Sequence, residues 1–152
     1  METKEYFVQL DSLMPLFREC LEQGQNVKFS PRGTSMMPML RQGKDSVTLS
    51  PVPARLKKYD LPLYQRDDGS YILHRVIASG ETYTCMGDNQ FLKETDLRHE
   101  QMIALVTAFT RGQREYSIDH LGYRIYCWFW SYSRPVRYFL HRSIRWLRRH
   151  LW

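Results

Sequence analysis

Several absences narrow what this chain can be. No window of its 152 residues reaches the ~20 consecutive apolar residues of a membrane span. The first residues, Met1 to Glu5, are charged and do not open a signal peptide, so the expected location is the cytoplasm. Cysteine is scarce: Cys20, Cys85 and Cys127 are an odd number at no disulfide or metal spacing, which fits a reduced compartment. The histidines show no paired metal spacing and no His-Glu-x-x-His motif, so no metal and no other cofactor is expected. Internal repeats and low-complexity segments are also missing. The most uneven absence is of acid. From His120 onward there are seven arginines and no Asp or Glu, whereas the residues before it balance 15 cationic against all 16 acidic ones. The net charge of +6 therefore belongs to a tail, and the body is close to neutral.

What is present reads as one mainly β body of residues 1–115 followed by a basic, aromatic helical tail of residues 116–152. Phe7, Leu10, Leu13, Met14, Phe17 and Leu21 recur at helical spacing, with Asp11 or Ser12 as cap, Pro15 in the first turn and Gly24 as stop. Residues 26–30 and 46–49 alternate as short strands. Leu61 and Leu63 flank Pro62, which suggests an edge strand. After the Asp68-Gly69 turn, residues 71–77 form the clearest strand pattern, and 82–86 and 102–109 follow. Short strands at this spacing predict a compact, curled antiparallel sheet with an N-terminal helix in front. Near Pro135 a basic amphipathic helix begins. Its apolar stripe is Val136, Phe139, Leu140, Ile144, Leu147 and Leu151, with Arg137, Arg142, Arg145, Arg148 and Arg149 on the rest of its surface and Trp146 and Trp152 near the border.

Three short segments could carry chemistry. In Gly33-Thr34-Ser35-Met36-Met37-Pro38-Met39-Leu40, Gly33 opens angles closed to other residues and Pro38 stiffens the exit. Such a turn presents the Ser35 hydroxyl beside free backbone N–H groups, as a nucleophile requires, although a plain loop over a buried Met cluster has the same composition. His74 shares a strand face with Ile72 and Val76. It is either a satisfied core histidine or a base whose neutral form is favoured by desolvation. Gly87-Asp88-Asn89 closes a strand and is either an ordinary turn or the acid that orients the histidine or fixes the neighbouring loops.

Taken in order, Ser35-Met36-Met37-Pro38, then Gly43 and Asp45, His74-Arg75-Val76 and Gly87-Asp88-Asn89 resemble the boxes of the signal peptidase I superfamily of serine endopeptidases. The resemblance covers about residues 26–109. The His-Arg-Val strand resembles the endoplasmic-reticulum-type branch, which uses histidine where the bacterial branch and the self-cleaving repressors carry lysine. It implies Ser35 as nucleophile, His74 as general base and Asp88 as supporting acid. The Ser35 N–H would serve the oxyanion hole, Gly33 would form its wall, and Met36, Pro38, Gly87 and Asn89 would support the turn. A second acid follows the third box in that branch, which leaves Asp88, Glu94 and Asp96 as candidates for the third partner. The implied activity is cleavage of a peptide or precursor protein through a Ser/His dyad and an acyl-enzyme, with substrate bound as an added strand. Family members carry an N-terminal span; here the basic helix of residues 134–152 could replace it by lying on an anionic membrane, on the inner face. The alternative is a catalytically idle peptidase-like protein, attached by that helix to membrane or nucleic acid. No nucleic-acid-binding motif favours the latter.

Overall fold

Alternating apolar residues build the sheets, and the seams between them place the candidate residues. The computed structural model describes residues 10–150. In chain order it contains α1 (Leu10–Glu22), β1 (Val27–Phe29), β2 (Asp45–Ser50), β3 (Pro62–Gln65), β4 (Tyr71–Leu73), β5 (Arg75–Ser79), β6 (Tyr83–Met86), β7 (Glu94–Leu97), β8 (Met102–Arg111), β9 (Arg114–Ser117), α2 (Leu121–Tyr132) and α3 (Arg134–His150). Phe7 of the predicted first stripe, and Leu151 and Trp152 of the last, lie outside the described residues.

The expected mainly β, antiparallel architecture is present, but as two open sheets in place of one curled sheet. The larger runs β1-β2-β8-β3-β4, with β9 also paired to β8, and the smaller runs β5-β6-β7. All pairings are antiparallel. The long β8 is the spine, its Ala104 and Val106 fully buried against Val47 and Leu49 of β2. Helix α1 adds Met14, Phe17 and Leu21 to that core, at the three-and-four spacing the sequence shows. A second apolar cluster of Leu56, Tyr64, Val76, Tyr83, Cys85, Leu97 and Met102 joins the sheets.

Three expectations need correction. β3 is not an edge strand: it lies between β8 and β4, sending Leu63 to one core and Tyr64 to the other. Pro62 is tolerated there because it is the first residue of the strand. Residues 71–77 are not one strand. They break at His74, where the chain leaves the larger sheet and enters the smaller. Nor does a tail begin at residue 116. β9 crosses that boundary, and α2 buries Tyr123 and Cys127 in the main core. Of the two C-terminal helices, α3, from Arg134, is the one with no buried residue.

Candidate functional site

Ser35 lies in a turn pinned from below and from the side. Met36, Met39 and Leu40 are buried in the core, and Leu40 N–H closes the turn on the Met36 carbonyl at 3.0 Å. Gly33 takes φ +92° and donates its N–H to Gln42 Oε1 at 3.0 Å. It therefore forms the wall of the turn and is not itself a free donor. Asn89 holds the other side, its N–H reaching the Ser35 carbonyl at 2.8 Å and its Nδ2 the Thr34 carbonyl at 3.2 Å. Across a trans peptide the N–H points opposite to the carbonyl. Clamping the Thr34 carbonyl therefore aims the Ser35 N–H away from Asn89. Among the described residues neither that N–H nor the Ser35 hydroxyl has a hydrogen-bond partner.

His74 meets this turn over Gly87. A Cβ on Gly87 would stand 2.7 Å from the Ser35 carbonyl oxygen and 3.1 Å from His74 Nε2. Only glycine permits that approach, and this explains the first residue of the Gly-Asp-Asn segment. Ser35 and His74 line one cleft of about 100 Å³, with Gly33, Met36, Leu40 and Ile72. No hydrogen bond joins the Ser35 hydroxyl to His74 in this structure, and such contacts commonly tighten only when substrate is bound.

The carboxylate on His74 comes from Glu94, at the start of β7, with Oε1 at 3.1 Å from Nδ1. The Tyr64 hydroxyl also approaches Nδ1, at 3.4 Å. Arg66 grips Glu94 with two bonds: Nε donates to Oε2 at 2.8 Å and Nη2 donates to Oε1. Burial would push the Glu94 carboxyl up, but the Arg66 guanidinium and the Tyr64 hydroxyl hold it below its ordinary range. His74 is 3% exposed, and desolvation lowers its pKa against the opposing pull of Glu94. At neutral pH it is an unprotonated imidazole with an anion behind it. The sequence pattern does not single out Tyr64 or Arg66, which read as a strand residue and a turn residue. Asp96 of β7 is exposed, hydrogen-bonded to Thr95 and away from the histidine.

Asp88 has different work. Its two oxygens receive Arg75 Nε and Nη2, each at 2.8 Å, and both side chains are fully buried. Arg75 Nη1 also donates to the Tyr123 hydroxyl at 2.7 Å and to Cys127 Sγ at 2.9 Å, and the Tyr126 hydroxyl donates to Asp88 at 2.9 Å. Trp130 Nε1 and Arg137 Nη1 reach the Asp88 carbonyl at 2.8 and 3.3 Å. Neighbours in the chain thus divide two tasks. His74 and Gly87 face Ser35, whereas Arg75 and Asp88 turn to the other side and fasten α2 to the loop that holds it.

An unprotonated imidazole beside a hydroxyl, in a small cleft with a free N–H, can move a proton off that hydroxyl and stabilise an oxyanion. No protein-family model, curated protein or solved structure matches this chain.

Proposed function

We propose that the chain is a serine endopeptidase of the signal peptidase I type, with Ser35 as nucleophile, His74 as general base and Glu94 as the acid behind it. The single observation that carries this reading is His74 held between Glu94 on Nδ1 and the Ser35 turn on the Nε2 side. In the mechanism, Ser35 Oγ attacks the scissile carbonyl as His74 Nε2 accepts its proton. The Ser35 N–H supports the developing oxyanion. The imidazolium, stabilised by Glu94, then protonates the leaving amine. Water, activated by the same histidine, releases the acyl group and restores Ser35. Substrate joins as a strand on β4, which ends the larger sheet and whose Tyr71, Ile72 and Leu73 line the cleft.

The rival reading, a catalytically idle binding protein, draws on the unbonded Ser35 hydroxyl. Incubation with a peptide library cut from a bacterial proteome, followed by mass spectrometry of new termini, separates the two. The peptidase reading requires cleavages at a restricted sequence pattern that disappear in Ser35→Ala. A wild-type chain that leaves the library intact, or a variant that cuts as well, sinks it.

Two further outcomes follow. Gly87→Ala forces the Ser35 carbonyl and His74 apart, because the added methyl would stand 2.7 Å from one and 3.1 Å from the other. Turnover is expected to fall about 10²-fold, since misplacements of about 1 Å cost that much. A melting curve close to wild type would show that the fold remains. Glu94→Gln removes the charge that raises the His74 pKa, so the acid limb of the kcat/KM profile moves to lower pH. The plateau drops by about 10²-fold or more as the imidazolium loses its counter-ion. A purely structural Glu94 would lower the plateau without moving the limb.

A further inference from the structure

Helices α2 and α3 are almost one helix. Ser133 N–H bonds to the Phe129 carbonyl at 2.9 Å and Arg137 N–H to the Ser133 carbonyl at 3.0 Å, so the bonding spans the junction at Ser133. Together they run for about 45 Å. One face of this rod holds the body: Tyr123, Cys127 and Trp130 bond to the Arg75–Asp88 pair and its loop, and the Tyr138 and His141 rings pack on Phe91, edge to face and tilted, with centroids 5.3 and 5.8 Å away. The opposite face is apolar and open. Leu121, Ile125, Trp128, Phe129 and Tyr132 of α2 continue into Val136, Phe139, Leu140, Ile144 and Leu147 of α3 at an unbroken three-and-four spacing, and all are exposed.

Large apolar stripes of this kind mark an interaction surface. Charge identifies the occupant. Arg142, Arg145, Arg148 and Arg149 occupy the surface of α3 away from the stripe, are exposed and take no partner among the described residues, and no acid occurs from His120 onward. A second copy of the chain would bring arginine against arginine. A nucleic acid would satisfy the arginines and leave the Trp, Phe and Leu side chains wet. An anionic bilayer accepts both, with the stripe among the acyl chains and the guanidinium groups at the phosphates.

We infer that the whole α2–α3 rod, from Leu121 to at least Leu147, is an in-plane binding surface for anionic lipid bilayers. No helix among the described residues is long and apolar enough to cross a membrane, so the rod lies on the surface. Its other face keeps the Ser35 loop attached to it. The surface is wider than the final helix alone, because α2 supplies half of the stripe.

The test is flotation of the full chain with phosphatidylcholine vesicles and with vesicles that also contain phosphatidylglycerol. The expected result is flotation with the second alone, accompanied by a blue shift of tryptophan emission and reversed by high salt. Arg142→Glu/Arg145→Glu/Arg149→Glu in one variant, and Trp128→Ser/Phe129→Ser in α2 in another, are each expected to lower vesicle binding at least about tenfold with unchanged circular dichroism. No flotation, or flotation untouched by both variants, overturns the inference. So does a chain that ignores vesicles and instead dimerises in light scattering or shifts duplex DNA. An α2 variant that floats like wild type overturns the claim for the whole rod. Ser35→Ala is expected to float normally, so failure here and failure of the peptidase reading are distinguishable.

Discussion

His74→Ala is expected to lower the rate of peptide cleavage by about 10⁴-fold with little change in KM, because the histidine acts on the reacting proton and touches no bound side chain in the proposed mechanism. The pH profile should change with it. The wild-type rate rises with pH through the lowered His74 pKa, below the usual imidazole value of about 6.5, and is level above it. The residual rate of the variant lacks that limb and climbs towards alkaline pH as hydroxide substitutes for the base. Stability carries a matching sign. A native pKa below the unfolded one means that the native chain binds fewer protons between the two values. Its contribution is complete above the unfolded value and lost as pH falls through the native one. His74→Ala therefore removes one source of acid sensitivity, read as a smaller drop in Tm between pH 7 and pH 5. A variant that retains the wild-type rate would exclude His74 as base.

Asp88→Ala is expected to act on the fold. It leaves the Arg75 guanidinium fully buried with no carboxylate, and it releases the Tyr126 hydroxyl. Breaking a buried pair from one side costs about 3–5 kcal/mol. In a chain of this size that corresponds to a Tm lower by about 6–20 °C. Replacing both partners, Arg75→Met with Asp88→Leu, should recover part of the loss, because no uncompensated charge remains. Glu94→Gln, by contrast, is expected to leave Tm near wild type while damaging turnover. Should Asp88→Ala melt normally and Glu94→Gln unfold, the division of labour between the two acids is reversed.

That division was only partly legible in the sequence. Order and spacing bring Ser35, His74 and Gly87-Asp88-Asn89 into view, and the structure brings Ser35, His74 and Gly87 to one place. Spacing left Asp88, Glu94 and Asp96 open, because the choice depends on which side of the chain each residue leaves. Asp88 leaves on the Arg75 side, whereas Glu94 leaves on the His74 side. β7, Glu-Thr-Asp-Leu, has no apolar alternation to announce it, and its exposed middle residues read as loop. The break at His74 has no glycine or proline to signal it, so 71–77 looks like one strand although it serves two sheets. Helix α2 is hidden for another reason. It is apolar on both faces, one against Arg75 and Asp88 and one open, so no stripe stands out. The elements with a single buried face, α1 and β2, read clearly.

The central claim is that Ser35 carries the acyl group. A peptide selected from the library can be mixed with the wild-type chain, quenched in acid within the first turnover and digested with trypsin. Cleavage after Arg32 and Arg41 yields the fragment from Gly33 to Arg41, which contains Ser35. The account predicts that this fragment gains the mass of the N-terminal product less one water, that fragmentation places it on Ser35, and that Ser35→Ala shows none. An acyl group on another residue, or sustained cleavage by Ser35→Ala without one, would contradict it.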